Sequence, residues 1–261
     1  MYIDEMGVQY SDDKKILVKC PEDFQGGYVI PDGVTNIEKL AFLNCKDLTS
    51  ITIPQGVTSL GGESFLGCEK LDSVTIPQSV RTVDGRAFSY CYSLTSVIFK
   101  DSAAVISAKA FINCIKLSTV DLGRRITSIG SEAFSGCVSL EAIKIPRSVK
   151  SIESEAFSGC SSLTAVTISP KVTVIEWGTF KNCSNLNFIY LPKGVIEIRD
   201  EAFLGCKNLL MLAIPSSVLY IGDTAFSGCE NISRIDISTK SQLKNIGGLD
   251  NFRDKIHFTF D

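Results

Sequence analysis

The chain has 261 residues, of which 44% are apolar, 21% charged and 10 are cysteines. This is a globular composition, and at about 100–200 residues per domain it allows one large domain or two ordinary ones. Basic residues number 26 against 29 acidic, a net charge of −3, which excludes a strongly basic nucleic-acid binder and gives no reason to expect an anionic membrane surface as partner.

The first residues, MYIDEMGVQYSDD, are acidic and lack an apolar centre, so no secretory signal is visible. Val8–Tyr10 and Ile16–Lys19 flank Ser11-Asp12-Asp13-Lys14, the pattern of a β-hairpin. Tyr28, Ile30, Pro31, Val34 and Ile37 then match the second half of a unit that recurs along the chain. The array therefore opens on a half-coil, and the hairpin is expected to cover its open edge.

The unit is 23 residues long. Phe42, Phe65, Phe88, Phe111, Phe134, Phe157, Phe180, Phe203 and Phe226 recur at that interval, as do Cys45, Cys68, Cys91, Cys114, Cys137, Cys160, Cys183, Cys206 and Cys229. We number the coils one to nine by these residues; Cys20 alone among the cysteines falls off the register. Leu48, Ile51, Ile53, Val57 and Leu60 begin further apolar columns, the last two weakened in coil nine. A fixed period of 20–50 residues marks a solenoid. In L-x-x-I-x-I the last apolar positions alternate, as in a strand with one buried face. The proline that follows (Pro54, Pro77, Pro146, Pro192, Pro215) lacks an N–H and ends it. V-x-x-I is a second short segment, strand or turn. The stretch through Ala-Phe, such as Ser131–Phe134, suits a single helical turn. Two residues after each Phe stands Gly or Asn in eight coils, residues that tolerate the left-handed conformation ending such a turn. Tyr90 is the exception and should be strained or differently turned.

After Ile237 the pattern decays, and Phe258 and Phe260 are expected to return to the columns of Ile235 and Ile237. The expected organisation is one continuous domain: a hairpin cap over residues 1–27, the solenoid over 28–240 and a degenerate repeat or cap over 241–261. Coils stacked about 4.8 Å apart would extend roughly 40–45 Å. No run of about 18 apolar residues exists, so no membrane insertion is expected.

The unit A-F-S-G-C-x-S-L-x-x-I-x-I-P-x-S-V-x-x-I, cleanest at Ala133–Ile152, resembles the BspA-like, or Treponema pallidum-type, leucine-rich repeat. The opening Gly7–Ser11, Leu17–Pro21 and Tyr28–Val34 is similar to that family's N-terminal cap, with Cys20 where a tyrosine is usual. The resemblance covers about residues 7–240. It implies a repeat solenoid, a β-rich α/β fold: a right-handed leucine-rich-repeat array of nine 23-residue coils with a half-coil and hairpin cap. It further implies a cell-surface or secreted protein that adheres to host or neighbouring-cell surface or matrix proteins. The alternative is a cytoplasmic scaffold or effector, and a third reading is a passive spacer.

The chemistry-bearing residues favour binding over catalysis. The single histidine, His257, nearly excludes triads and zinc–histidine sites; no cofactor motif is present, and no cofactor, metal or catalytic residue is expected. The cysteine ladder admits disulfides or a buried column. Equivalent positions point the same way and nine is odd, so a column of small buried side chains is preferred. Cys20 is then the candidate exposed thiol. Asp121 and Lys144, at adjacent strand positions, could pair, and a surface ion pair is expected there rather than an acid/base dyad. The sequon asparagines Asn182 and Asn231 read as turn and surface chemistry before glycosylation. The outward strand positions are mostly Thr, Ser, Asp or Ala, but coils seven to nine carry Phe188, Tyr190, Leu210, Met211 and Arg234. Together these form the candidate partner-binding patch; packing against a tail, a further domain or a second copy is its alternative. The expected partner is a protein, not nucleic acid, and the array is a monomer or a weak end-to-end dimer.

Overall fold

The alternating L-x-x-I-x-I segment forms a short strand in every coil. The computed structural model, which describes residues 1–244 and 247–259, stacks these strands in parallel. Rungs join residues one period apart: Val97 lies opposite Val74 and Val120, and Ile189 opposite Val166 and Leu212. Inward members of the columns are buried and their neighbours face out. Strand Ser73–Ile76 stops at Pro77, whose carbonyl accepts the Val80 N–H at 3.1 Å, and Pro146 and Val149 repeat the turn at 3.0 Å. V-x-x-I is extended rather than turned. Two-residue strands such as Ser59–Leu60, Thr82–Val83 and Val105–Ile106 form a second parallel face.

The Ala-Phe stretch is not a helical turn. In coil two the N–H groups of Glu63, Phe65 and Gly67 donate to the carbonyls of Gly85, Ala87 and Ser89 in the next coil, at 3.0, 2.7 and 3.0 Å. Those of Ser64, Leu66 and Cys68 turn back within the coil, at 3.1–3.2 Å. Donors can alternate in this way because residues on either side of the Phe are left-handed, Glu63 at φ 58° and Gly67 at φ 72°. The second of these positions was marked by Gly or Asn; the first carries Leu40, Glu63, Arg86, Lys109, Glu132, Glu155 and Glu201, with a glycine only at Gly178, and so gave no consistent sign in the sequence. Tyr90 adopts φ 59° like the glycines of its column, a conformation that crowds Cβ against the carbonyl.

The core is a set of ladders. Phe42 to Phe226 stack with centroids 4.8–5.6 Å apart and planes within 15°, within the range aromatic pairs favour. All ten cysteines are buried and free of disulfides. The ladder thiols also do something a small apolar side chain would not. From Cys68 to Cys229 each Sγ donates to the carbonyl of the Phe one coil back, and Cys45 donates to Pro21, all at 3.1–3.3 Å. Burial pushes the Cys114, Cys160 and Cys229 thiols up to about 12.

Both ends of the array depart from the expectation. Strands Gln9–Tyr10 and Ile16–Lys19 form the hairpin and pair with the second face through Leu17 and Ile37, with a further strand, Tyr2–Ile3, on the outside. The hairpin joins at an offset of 20 residues (37 − 17), not 23, and Cys20, although off the register in sequence, packs against coil one, where its N–H donates to the Ala41 carbonyl at 2.7 Å. Cys20 is fully buried beside Cys45, and its exposure is therefore corrected. The hydrogen bond with Cys45 and burial both push its thiol up.

At the other end strand Ile256–Thr259 does close the array, but with Ile256 opposite Ile235 and Phe258 opposite Ile237. The last coil is 21 residues long (256 − 235) because it runs through a 3-10 helix, Gly247–Lys255, kinked at Phe252 (φ −124°). Leu249, one period after Phe226, is buried, so the shortening falls after it. Phe260 lies outside the described residues.

Three outcomes follow. Thiol titration should find ten reactive groups in the unfolded, unreduced chain and none reacting rapidly in the native one; a fast native thiol would contradict the burial of Cys20. Second, stability should fall in alkali. Below the unfolded thiol value of 9.0 both states keep the protons. Above it the unfolded chain releases protons that the folded chain holds, at about 1.4 kcal/mol per pH unit for each such cysteine, up to the folded value. Urea midpoints should be flat to about pH 8 and drop by about pH 11; a flat curve throughout would refute it. Third, Tyr90→Gly should raise the urea midpoint. Relief of about 1–2 kcal/mol of strain outweighs the 0.5–1 kcal/mol that glycine loses in entropy.

Candidate interaction surface on the strand face

The strand face carries longer strands than the second face, and its outward positions are free to vary because they touch no core. In coils one and two they are Ser50, Thr52, Ser73 and Thr75. In coils seven and eight alternation along Phe188–Tyr190 and Met211–Ile214 turns Phe188, Tyr190 and Met211 outward, while Ile189 and Leu212 go in. Phe188 lies opposite Met211, and Met211 opposite Arg234. Leu210 precedes the strand and donates its N–H to Asn187 at 3.1 Å. Phe188 is 54% exposed, Tyr190 55%, Leu210 49% and Met211 43%. The structure thus brings all five residues of the expected patch together. The closing strand Ile256–Thr259 pairs beside coil nine, so the described tail extends the face instead of covering the patch.

Electrostatics define the patch's edges. Arg234 Nε donates to Asp236 Oδ1 at 2.7 Å, which ties the guanidinium to the coil-nine strand. On one flank Asn208 donates to Asn185 at 3.2 Å and Asn231 to Asn208 at 3.3 Å, a side-chain ladder that includes one of the two sequon asparagines. The other, Asn182, takes the left-handed turn position at φ 58°. On the other flank Tyr190, Lys193, Ala213, Pro215 and Asp236 line a shallow groove of about 190 Å³.

Two features escaped the sequence reading. On the second face Trp177, Ile196 and Tyr220 are exposed, and Arg199 lies between Glu176 at 2.6 Å and Glu197 at 3.3 Å. The signal was present, because Tyr220 stands in a column that begins Asn36, Ser59, Thr82. The other is a break in the strand face between coils four and five, where strands Thr119–Asp121 and Ala142–Lys144 do not pair. No Asp121–Lys144 bridge occurs among the described ion pairs, which corrects that expectation: without the ladder the two side chains are not held side by side. Among the described residues no cluster of His, Cys, Asp and Glu is arranged to hold a metal ion, and no helix is long and apolar enough to cross a membrane.

Comparison with known proteins gives a consistent result. The family model for the BspA-type leucine-rich repeat region matches in six copies, over residues 26–141, 85–210 and 127–250. Among solved structures, the Treponema pallidum leucine-rich repeat protein is similar over 97% of this chain and 96% of its own, at 24% identity and a TM-score of 0.53. A leucine-rich cell-surface protein from Faecalibacterium prausnitzii is 26% identical over 91% of this chain and 85% of its own, with a TM-score of 0.44. A leucine-rich repeat protein from Bacteroides ovatus is 21% identical over 100% and 99%, with a TM-score of 0.40. No curated protein matches the chain.

Proposed function

The chain belongs to the BspA-type leucine-rich repeat family, and from that premise we propose that it is a non-enzymatic module that binds a protein through the strand face of coils seven to nine. Solenoids of this kind are interaction scaffolds whose stacked coils present an extended surface. The observation that carries the reading is the contiguous row Phe188, Tyr190, Leu210 and Met211. These four apolar side chains are about half exposed, in columns that elsewhere hold mostly small or polar residues. Leaving that much apolar and aromatic surface in water is unfavourable unless a partner covers it. Tyr and Arg at the edge add the residue types that dominate interface energies. The setting we propose is the cell surface or the extracellular space, with a host or neighbouring-cell protein as partner, as the family resemblance implies.

The test is a binding screen of the array against extracellular-matrix and surface proteins, with Phe188→Ser plus Tyr190→Ser as the variant. Binding should weaken at least about tenfold, with the thermal transition unchanged because both side chains lie outside the core. Unchanged binding by a folded variant, or an array that binds nothing, would overturn the proposal.

A further inference from the structure

The break in the strand face has a local cause. One residue before each strand a backbone rung joins successive coils. Asp72 donates to Thr49 at 3.1 Å, Thr95 to Asp72 at 2.7 Å, Ser118 to Thr95 at 3.0 Å, Thr164 to Glu141 at 2.9 Å and Leu210 to Asn187 at 3.1 Å. The corresponding bond from Glu141 to Ser118 is missing. The face is also divided between Asp47–Thr52 and Ser73–Ile76, but there the rung from Asp72 persists. Four coils lack the proline at the end of the strand, with Lys100, Gly123, Ser169 and Ser238 in its place, and coils three and four alone put Lys100-Asp101 and Gly123-Arg124 there. Asp101 at φ 49° and Gly123 at φ 59° turn left-handed. A side chain on Gly123 would sit 2.6 Å from the Phe99 carbonyl oxygen, so only glycine allows this approach. Asp101 then accepts the Arg124 backbone N–H at 3.0 Å and its guanidinium at 2.8 Å. Coil four is tied back onto coil three, and the gap lies on its other side.

The gap is a cavity of about 560 Å³, within the range of ligand pockets. Val120 lines it and is only partly buried, while Val97 and Ile143, its neighbours in the column, are buried. Around this apolar floor stand Asp101, Asp121, Arg124, Lys144 and Arg147. Asp101 is engaged by Arg124, and Asp121 accepts the Gly123 N–H at 2.8 Å. Among the described residues Lys144 and Arg147 form no ion pair, leaving two cations uncommitted over an apolar floor.

We propose that this cleft receives an acidic peptide segment of a protein: a carboxylate side chain between Lys144 and Arg147, with an apolar neighbour on Val120. A phosphate or sulfate polyanion is disfavoured because only Lys144 and Arg147 are uncommitted at the cleft, and a polyanion leaves the apolar surface of Val120 uncovered. The site lies on coils four and five and is independent of the patch on coils seven to nine.

The probe is a capped Glu-Val-Glu peptide, followed by the amide resonances of the isotope-labelled chain. The resonances of Val120–Arg124 and Lys144–Arg147 should shift saturably. Lys144→Gln with Arg147→Gln should weaken binding about tenfold, two exposed ion pairs of ordinary strength. Asp121→Asn should strengthen it by removing a like charge. Phe188→Ser with Tyr190→Ser should leave it unchanged, so failure of the patch and failure of the cleft are distinguishable. Absent or non-saturating shifts, shifts centred elsewhere, or equal affinity in a folded Lys144→Gln, Arg147→Gln chain would overturn the assignment. So would inorganic phosphate or a heparin hexasaccharide displacing the peptide and binding more tightly.

Discussion

Everything in this molecule depends on a fixed coil length. With one 23-residue period, each buried group meets its own copy one layer up, so a contact that works once works at every layer. The Phe carbonyl shows how tight the arrangement is. In coil two the Phe65 carbonyl accepts the Cys68 N–H of its own coil at 3.2 Å and the Cys91 thiol of the next at 3.2 Å. Both lone pairs are used, in a region where an unmet polar group costs free energy. Cysteine suits the position because it is small, apolar enough for the core and still a weak donor. A single inserted residue between Phe and Cys would break that pattern and shift the columns beyond it.

The same constraint confines variation to positions that no neighbouring coil needs. Outward strand residues are one such class, and coils seven to nine use it to display aromatic and apolar side chains. Turn residues after the strand are another. Where Asp101 and Arg124 tie coil four onto coil three, one rung is lost on the other side and a cleft opens, while the Phe and Cys ladders pass through it undisturbed: Phe111 and Phe134 still stack at 5.2 Å. A quasi-one-dimensional core tolerates this because each coil's stability comes from its own packing and its two neighbours. The features that could distinguish this array from a generic stack therefore lie where it breaks its own pattern.

The ends obey different rules. A stacked coil exposes unpaired backbone on its open face, and each end meets this with a segment that is not a repeat. At the front, the hairpin adds antiparallel pairing and buries Tyr10 and Tyr28, whose hydroxyls meet, and Tyr28 donates to Asp4 at 2.5 Å. Burial pushes the Tyr28 hydroxyl well above its usual value. At the back, a 3-10 helix and a final strand close the core with a shorter coil. Neither end keeps the 23-residue count, which explains why positions counted by period there were misplaced.

The period, the strand of L-x-x-I-x-I, the proline stops, the Phe and Cys ladders and the composition of the patch are all legible in the order of residues along the chain. Periodicity encodes which residues share a column, and stacking then forces them together. That V-x-x-I is extended and that the Ala-Phe stretch runs as alternating left-handed turns is settled by the stacking of the coils. Both depend on where the next coil places its carbonyls, and charged residues such as Glu63 and Glu132 gave no local sign of a positive φ. The burial of Cys20, the register of Ile256 and Phe258 and the missing Asp121–Lys144 bridge were also tertiary outcomes. Each turns on an offset or a lost rung between coils, a relation between neighbouring layers that a one-dimensional period cannot record.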